Sequence, residues 1–196
     1  MPVYCLSVKM TLDNVAALER RPGNYWKFDF KDGSSDEVRK DVTISDIDEE
    51  AMEGSRGVAN LTIKFAESGS TNNASVMEIT KGGSVTRDVT GEDSEQFVPV
   101  FAMECRGMEP VAWHAGEDFI VVTKGGGQRF EEVNLADGDW NEVEDKKSKL
   151  VAITDLECVD GRLPACLPAC CCCCCAHHSP PFLRYKIDVV RAADMK

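Results

Sequence analysis

The stretch Tyr25-Trp26-Lys27-Phe28-Asp29-Phe30-Lys31 decides the reading of this chain. Trp26, Phe28 and Phe30 fall on alternate positions, with Lys27, Asp29 and Lys31 between them and after. A period of two puts the aromatic set on one face of an extended strand and the charged set on the other, so this is a strand with a buried side and a wet side. Asp32-Gly33 follows it, a pair read as supplying the positive φ of a tight connection. Lys81-Gly82-Gly83 and Gly125-Gly126-Gly127 are read the same way. Working outward, alternating or β-branched runs recur at 3–12, 38–44, 58–65, 75–80, 96–105, 118–123, 129–133 and 150–156, between clusters of Gly, Asp, Asn and Ser. Helical periodicity is scarce. The expected fold is all-β or mainly β, a compact sandwich-like or barrel-like set of antiparallel sheets with an irregular Cys/Pro-rich insertion near the C-terminus.

Composition supports one domain with a sizeable core: 196 residues, 43% of them apolar. Twenty-two Lys and Arg against 34 Asp and Glu give a net charge of −12. Binding a phosphate backbone needs clustered cations, and no basic stripe is present, so neither nucleic acid nor an anionic membrane is an expected partner. The start, MPVYCLSVKMTLDNV, has no basic segment leading into a long apolar one, and no run approaches the roughly 18 apolar residues that span a bilayer. The expectation is a monomeric protein of the cytoplasm, or of cytoplasm and nucleus, with a protein partner of unknown identity. Acidic runs at 46–50, 92–95 and 142–145 read as solvated surface, able to steer a basic partner if they converge.

Cysteine usage divides the chain. Of ten cysteines, residues 1–157 hold two, Cys5 and Cys105, as a reducing compartment allows, and the rest follow Glu157. The expected organisation is a β-rich domain at 1–157, a low-complexity insertion at 158–184, and a terminal strand or tail at 185–196. The insertion carries Pro164, Pro168, Pro180 and Pro181 together with six consecutive cysteines. Deleting 158–184 joins 151–157 to 185–191 as one terminal β segment, which favours a segment outside the folded domain, such as a retained intron or an artefact of the gene model. The competing reading is a tail that captures soft or borderline metal ions through Cys170, Cys171, Cys172, Cys173, Cys174, Cys175, His177 and His178.

Catalytic signals are poor. Gly125 to Gly127, followed by Gln128-Arg129, lacks the spacing of a phosphate loop. His114 reads as a strand-edge histidine beside Trp113 rather than as a base for Cys105. Asp137-Gly138-Asp139-Trp140-Asn141-Glu142 alternates oxygens as a calcium loop does, but its sixth and twelfth positions are Glu142 and Ser148, so it reads as a solvated acidic turn. Arg106 and Glu109 flank Gly107 in an expected tight turn. They form the best interaction-surface candidate, while an Arg106 that pins the turn would make Arg106→Ala cost roughly 1 to 3 kcal/mol.

Leu12-Asp13-Asn14, Gly54-Ser55-Arg56-Gly57, Cys105-Arg106-Gly107-Met108-Glu109-Pro110, and Val133-Asn134-Leu135 leading to Asp139-Trp140 resemble, in order and spacing, the eukaryotic CXXC motif-containing zinc-binding proteins. The resemblance spans 3–157, and Cys-Arg-Gly-x-Glu-Pro is its most specific piece. It implies a cytosolic β fold of about 160 residues holding one structural zinc through two Cys-x-x-Cys pairs on neighbouring hairpins. Here the four ligand positions read Asp32, Ser35, Phe65 and Ser68. With no thiolate among them, neither zinc nor any other cofactor is expected. The two hairpins should then be held by core packing alone, with mobile tips, and AESGSTNNAS at 66–75 should be a loop. The resulting expectation is a non-enzymatic protein acting through protein contacts. Metal binding by the tail or by a residual zinc site is the alternative, and an enzyme built on Arg106, Glu109 and His114 ranks last.

Overall fold

The computed structural model describes residues 2–52, 56–80, 85–125, 127–145, 148–160 and 188–191, whose regular structure is entirely strand. The first eight strands are β1 (Pro2–Asp13), β2 (Val15–Arg20), β3 (Trp26–Asp32), β4 (Val38–Ile44), β5 (Glu50–Ala51), β6 (Val58–Ala59), β7 (Leu61–Lys64) and β8 (Thr71–Met77). They are followed by β9 (Val89–Thr90), β10 (Val98–Arg106), β11 (Met108–His114), β12 (Phe119–Thr123), β13 (Arg129–Val133), β14 (Trp140–Glu144), β15 (Lys149–Asp160) and β16 (Asp188–Arg191).

All the pairings are antiparallel. A seven-stranded sheet runs β14-β15-β1-β10-β8-β7, with β16 also on β1. A three-stranded sheet runs β11-β3-β4, a four-stranded one β13-β12-β2-β9, and β5 pairs β6. The chain changes sheets at single residues with positive φ: Asn14 (φ 55°) between β1 and β2, and Gly107 (φ 77°) between β10 and β11. These corners curl the sheets round one apolar core, to which β3 contributes Trp26, Phe28 and Phe30, β1 contributes Leu6, Val8, Met10 and Leu12, and β10 contributes Phe101, Met103 and Cys105. The mainly β expectation and the two-faced reading of β3 therefore hold: its three aromatic side chains are buried and Lys27 is exposed.

Several elements depart from the sequence reading. β2, Val-Ala-Ala-Leu-Glu-Arg, carries little β propensity and is set by its partners β12 and β9. β11 follows the turn expected at Gly107, begins within the span expected to be turn, and contains Pro110. A bulge between Pro110 and Ala112 accommodates it beside β3. Residues 66–75 were expected to be a loop, but from Thr71 onward they form β8, whose Asn72 and Ala74 face inward and are buried. Gly33 is not in the positive-φ region that Gly23, Gly107 and Gly125 occupy, so its role is not the one expected. Lys81, Gly82 and Gly83 lie outside the described residues.

The strand before the insertion also runs further than expected. β15 continues to Asp160, opposite Leu6, and Cys158 is buried in the main core in phase with Leu156. The boundary placed after Glu157 followed a composition change, whereas the β alternation persists through the first cysteine. β16 then resumes on the same edge of β1, with Asp188 opposite Cys5 and Arg191 opposite Pro2. Residues 161–187, with Cys170 to Cys175, His177 and His178, lie outside the described residues.

Candidate functional site

Asp32 ends β3 on its inward face and is 1% exposed. Its Oδ2 accepts the Ser35 hydroxyl at 2.9 Å, and its Oδ1 accepts Asn72 Nδ2 at 2.9 Å from β8 of the large sheet. Ser68, in the turn between β7 and β8, donates to the same carboxylate. That bond does most to hold the Asp32 carboxyl below the usual carboxylate range; burial opposes it, and Ser35, the Ser34 N–H and Asn72 add to the lowering. Three of the four positions named by the resemblance thus meet at one buried carboxylate. The fourth does not: Phe65 is 0% exposed and belongs to the apolar core.

The cluster also fixes the turn between β10 and β11. The Gly107 carbonyl accepts Asn72 Nδ2 and the Gly33 N–H, both at 2.8 Å. Both hydrogens of the Asn72 amide are therefore engaged, one by Asp32 and one by Gly107. A Cβ on Gly33 would sit 2.8 Å from the Gly107 oxygen, so close backbone approach explains that glycine. A Cβ on Gly107 would collide with the Asn72 amide.

A second tie lies beside the first. Glu37 Oε2 accepts the Glu67 N–H at 2.8 Å, and Arg39 Nη2 donates to the Lys64 carbonyl at 3.2 Å. The Glu67 N–H is the main reason the Glu37 carboxyl is lowered. The β3–β4 and β7–β8 hairpins, expected to rely on core packing alone, are joined by hydrogen bonds at the place where the resemblance implies a metal.

Zinc does not fit this donor set. Both Asp32 oxygens are committed to hydrogen bonds, the serine hydroxyls point their protons at that carboxylate, and Phe65 offers no donor. Next to the cluster lies an open polar cleft of about 510 Å³ bordered by Lys31, Asp32, Ser35, Asp36, Met108 and Glu109. Lys31 Nζ reaches Asp36 Oδ1 at 2.7 Å across its rim, and Asp36 is 97% exposed.

The remaining sequence candidates separate. Arg106 and Glu109 do not form a pair: Arg106 is half exposed and approaches Glu104 at 3.7 Å, while Glu109 stands opposite Lys31 and lines the cleft. Cys105 is fully buried, and burial pushes its thiol pKa far up. His114 Nε2 lies 2.8 Å from Asp29 Oδ1 on the outer face of β3, which gives it a carboxylate partner. In the acidic turn, Asp139 Oδ1 accepts the Asp155 N–H at 3.1 Å, and Trp140 begins β14 and packs on Phe130. Sequence reasoning missed Asn72, whose amide bridges Asp32 and Gly107. Asn in a Ser/Thr/Asn-rich stretch signals a turn, and no local pattern marks it as a buried bridge.

Residues 5–159 match the family described as CXXC motif containing zinc binding protein, eukaryotic. The CXXC motif containing zinc binding protein of Rattus norvegicus is 28% identical over 158 residues, which is 80% of this chain and 96% of that protein. Among solved structures, the crystal structure of C1orf123 superposes with a TM-score of 0.71 at 26% identity, covering 80% of this chain and 96% of that one. A hypothetical protein from Plasmodium falciparum shares the fold with a TM-score of 0.72 at 24% identity, covering 81% and 98%. The match over most of the chain, with the fold and the order of its motifs, makes this chain a member of the eukaryotic CXXC motif containing zinc binding protein family.

Proposed function

We propose that this protein is a non-enzymatic, zinc-independent member of its family that acts through protein contacts, with the cleft beside Asp32 as its contact surface. The observation that carries the reading is the closure of the hairpin junction by Asp32, Ser35, Ser68 and Asn72. A junction satisfied by hydrogen bonds needs no ion to fold, and the surface built on it remains. The cleft is polar and open, with the carboxylates of Asp36 and Glu109 at its rim, which suits a polar or basic segment of a partner. Among the described residues the cysteine and histidine singled out as nucleophile and base stand apart, which supports a non-enzymatic role: Cys105 is sealed in the core and His114 is held by Asp29 on the outer face.

Two measurements test this. Treating the full chain with EDTA should leave its melting temperature unchanged, and a fall of more than a few degrees that persists in His114→Gln overturns zinc independence. Reversing the rim charges, Asp36→Lys with Glu109→Lys, should abolish cross-linking of the protein to its partners in cells while leaving the melting curve intact. An unchanged cross-linking pattern overturns the cleft as the contact surface.

A further inference from the structure

The face of β3 opposite Asp32 carries a second group of donors, drawn from three adjacent strands. Both neighbours of β3 are irregular at Asp29. On one side Phe28 faces Val42 and Phe30 faces Arg39, so Lys40 and Asp41 together oppose Asp29, with Asp41 in the left-handed region at φ 54°. On the other side the β11 bulge brings Ala112 opposite Asp29 and carries the strand on to His114, opposite Lys27. Bulges re-aim side chains, and here they turn Asp41 and His114 towards Asp29. The donor atoms of Asp29, Asp41 and His114 all lie within 4.8 Å of one another, the one group of three or more His, Cys, Asp or Glu donors so gathered among the described residues. Asp29 Oδ1 is 2.8 Å from His114 Nε2 and 2.9 Å from the Asp41 N–H, and the Asp29 side chain is only 13% exposed.

We propose that Asp29, Asp41 and His114 form a site for one divalent cation of the zinc class, on the outer face of the three-stranded sheet and separate from the positions at which the family resemblance places its metal. One imidazole nitrogen and two carboxylates are a borderline donor set suited to such an ion rather than to a soft monovalent one, and water completes the coordination. The ion takes the place of the hydrogen between His114 Nε2 and Asp29 Oδ1, at bond lengths of about 2.0 to 2.2 Å; a neutral imidazole keeps that hydrogen by moving it to Nδ1, and an imidazolium gives one proton to solvent. Asp29 and His114 stand on paired strands and Asp41 at a fixed bulge, so little ordering is needed on binding. Lys27, opposite His114, and Lys40, beside Asp41, oppose the incoming charge and set the site as a weaker one than a buried four-ligand centre.

The test uses the full chain, with Zn²⁺ as the probe and the imidazole ¹⁵N resonances as the readout, because these separate His114 from His177 and His178. His114→Gln assigns the signal. Once Cys170 to Cys175 are saturated, further Zn²⁺ should move the His114 Nε2 resonance into the metal-bound range. Asp41→Asn, which tolerates the left-handed backbone, should weaken that response at least tenfold while leaving the melting curve intact. A His114 resonance that stays in place under excess Zn²⁺, or an Asp41→Asn response equal to that of the unaltered chain, overturns the site. Neither result bears on the EDTA insensitivity of the hairpin junction, so the two readings fail separately.

Discussion

Asn72 and Asp32 hold together three pieces of chain that sequence places far apart. Asn72 gives one amide hydrogen to Asp32 and the other to Gly107, so Asn72→Ala leaves a buried carboxylate and a partly buried carbonyl each short of a donor. The expected cost is about 1 to 3 kcal/mol in urea unfolding. Arg106→Ala, by contrast, removes only a half-exposed contact to Glu104 at 3.7 Å, so its expected cost falls to about 1 kcal/mol or less. Equal losses for the two variants would restore Arg106 as the pin of the turn. Acid sensitivity should localise in the same place. The folded-state pKa values of Asp32 and Glu37 lie below their unfolded values, so the stability they add is present above about pH 4 and is lost as pH falls through the folded values. Asp32→Asn should flatten the fall in urea midpoint below pH 4, and a fall as steep as that of the unaltered chain would place the acid sensitivity elsewhere. The sequence, through the family resemblance, singled out Asp32, Ser35, Phe65 and Ser68 as ligand positions without thiolates. It did not show that three of them meet, because hydrogen bonds between residues 32, 68 and 72 depend on two hairpins meeting.

Strand β3 was legible because its alternation is strict and its inner face is aromatic. β8 and β11 were not. The start of β8 buries Asn72 and Ala74, so only its end fell within the strand expected at 75–80, and β11 absorbs Pro110 in a bulge just past the turn expected at Gly107. The same hairpins show what building the four-thiolate site that the resemblance implies would require. In a chain lacking 161–187, the combined variant Asp32→Cys, Ser35→Cys, Phe65→Cys, Ser68→Cys should bind one Zn²⁺, read as thiolate absorption on Co²⁺ substitution. Phe65→Cys alone should cost about 2 to 4 kcal/mol, because it empties a fully buried aromatic position. No thiolate band in the combined variant would mean that these four positions do not converge on an ion. A small cost for Phe65→Cys would mean that the β7–β8 turn relaxes into the space.

At the scale of the molecule, β1 is the strand on which the large sheet is assembled, with β10 along one edge and β15 and then β16 along the other. The two segments meet end to end: Asp160 faces Leu6 and Asp188 faces Cys5, the next residue of β1. Joining Asp160 directly to Asp188 therefore keeps every pairing on that edge. The proposed splice at 158–184 removes the same number of residues and brings Tyr185, Lys186 and Ile187 into the register of Cys158, Val159 and Asp160. A chain lacking 161–187 should keep the backbone chemical shifts of β1 and β10, and wholesale changes there would show that the 27 residues take part in the sheet. A chain stopped at Asp160 is a different case. The main-chain groups of Pro2 to Cys5 that face β16 would be left as an unsatisfied docking edge, ready to take up a strand from outside. A short synthetic peptide carrying Asp188-Val189-Val190-Arg191 should then complete the sheet in trans, and without it two truncated copies should pair edge to edge. This makes the end of the chain a detachable piece, and the protein a natural candidate for two-part reassembly.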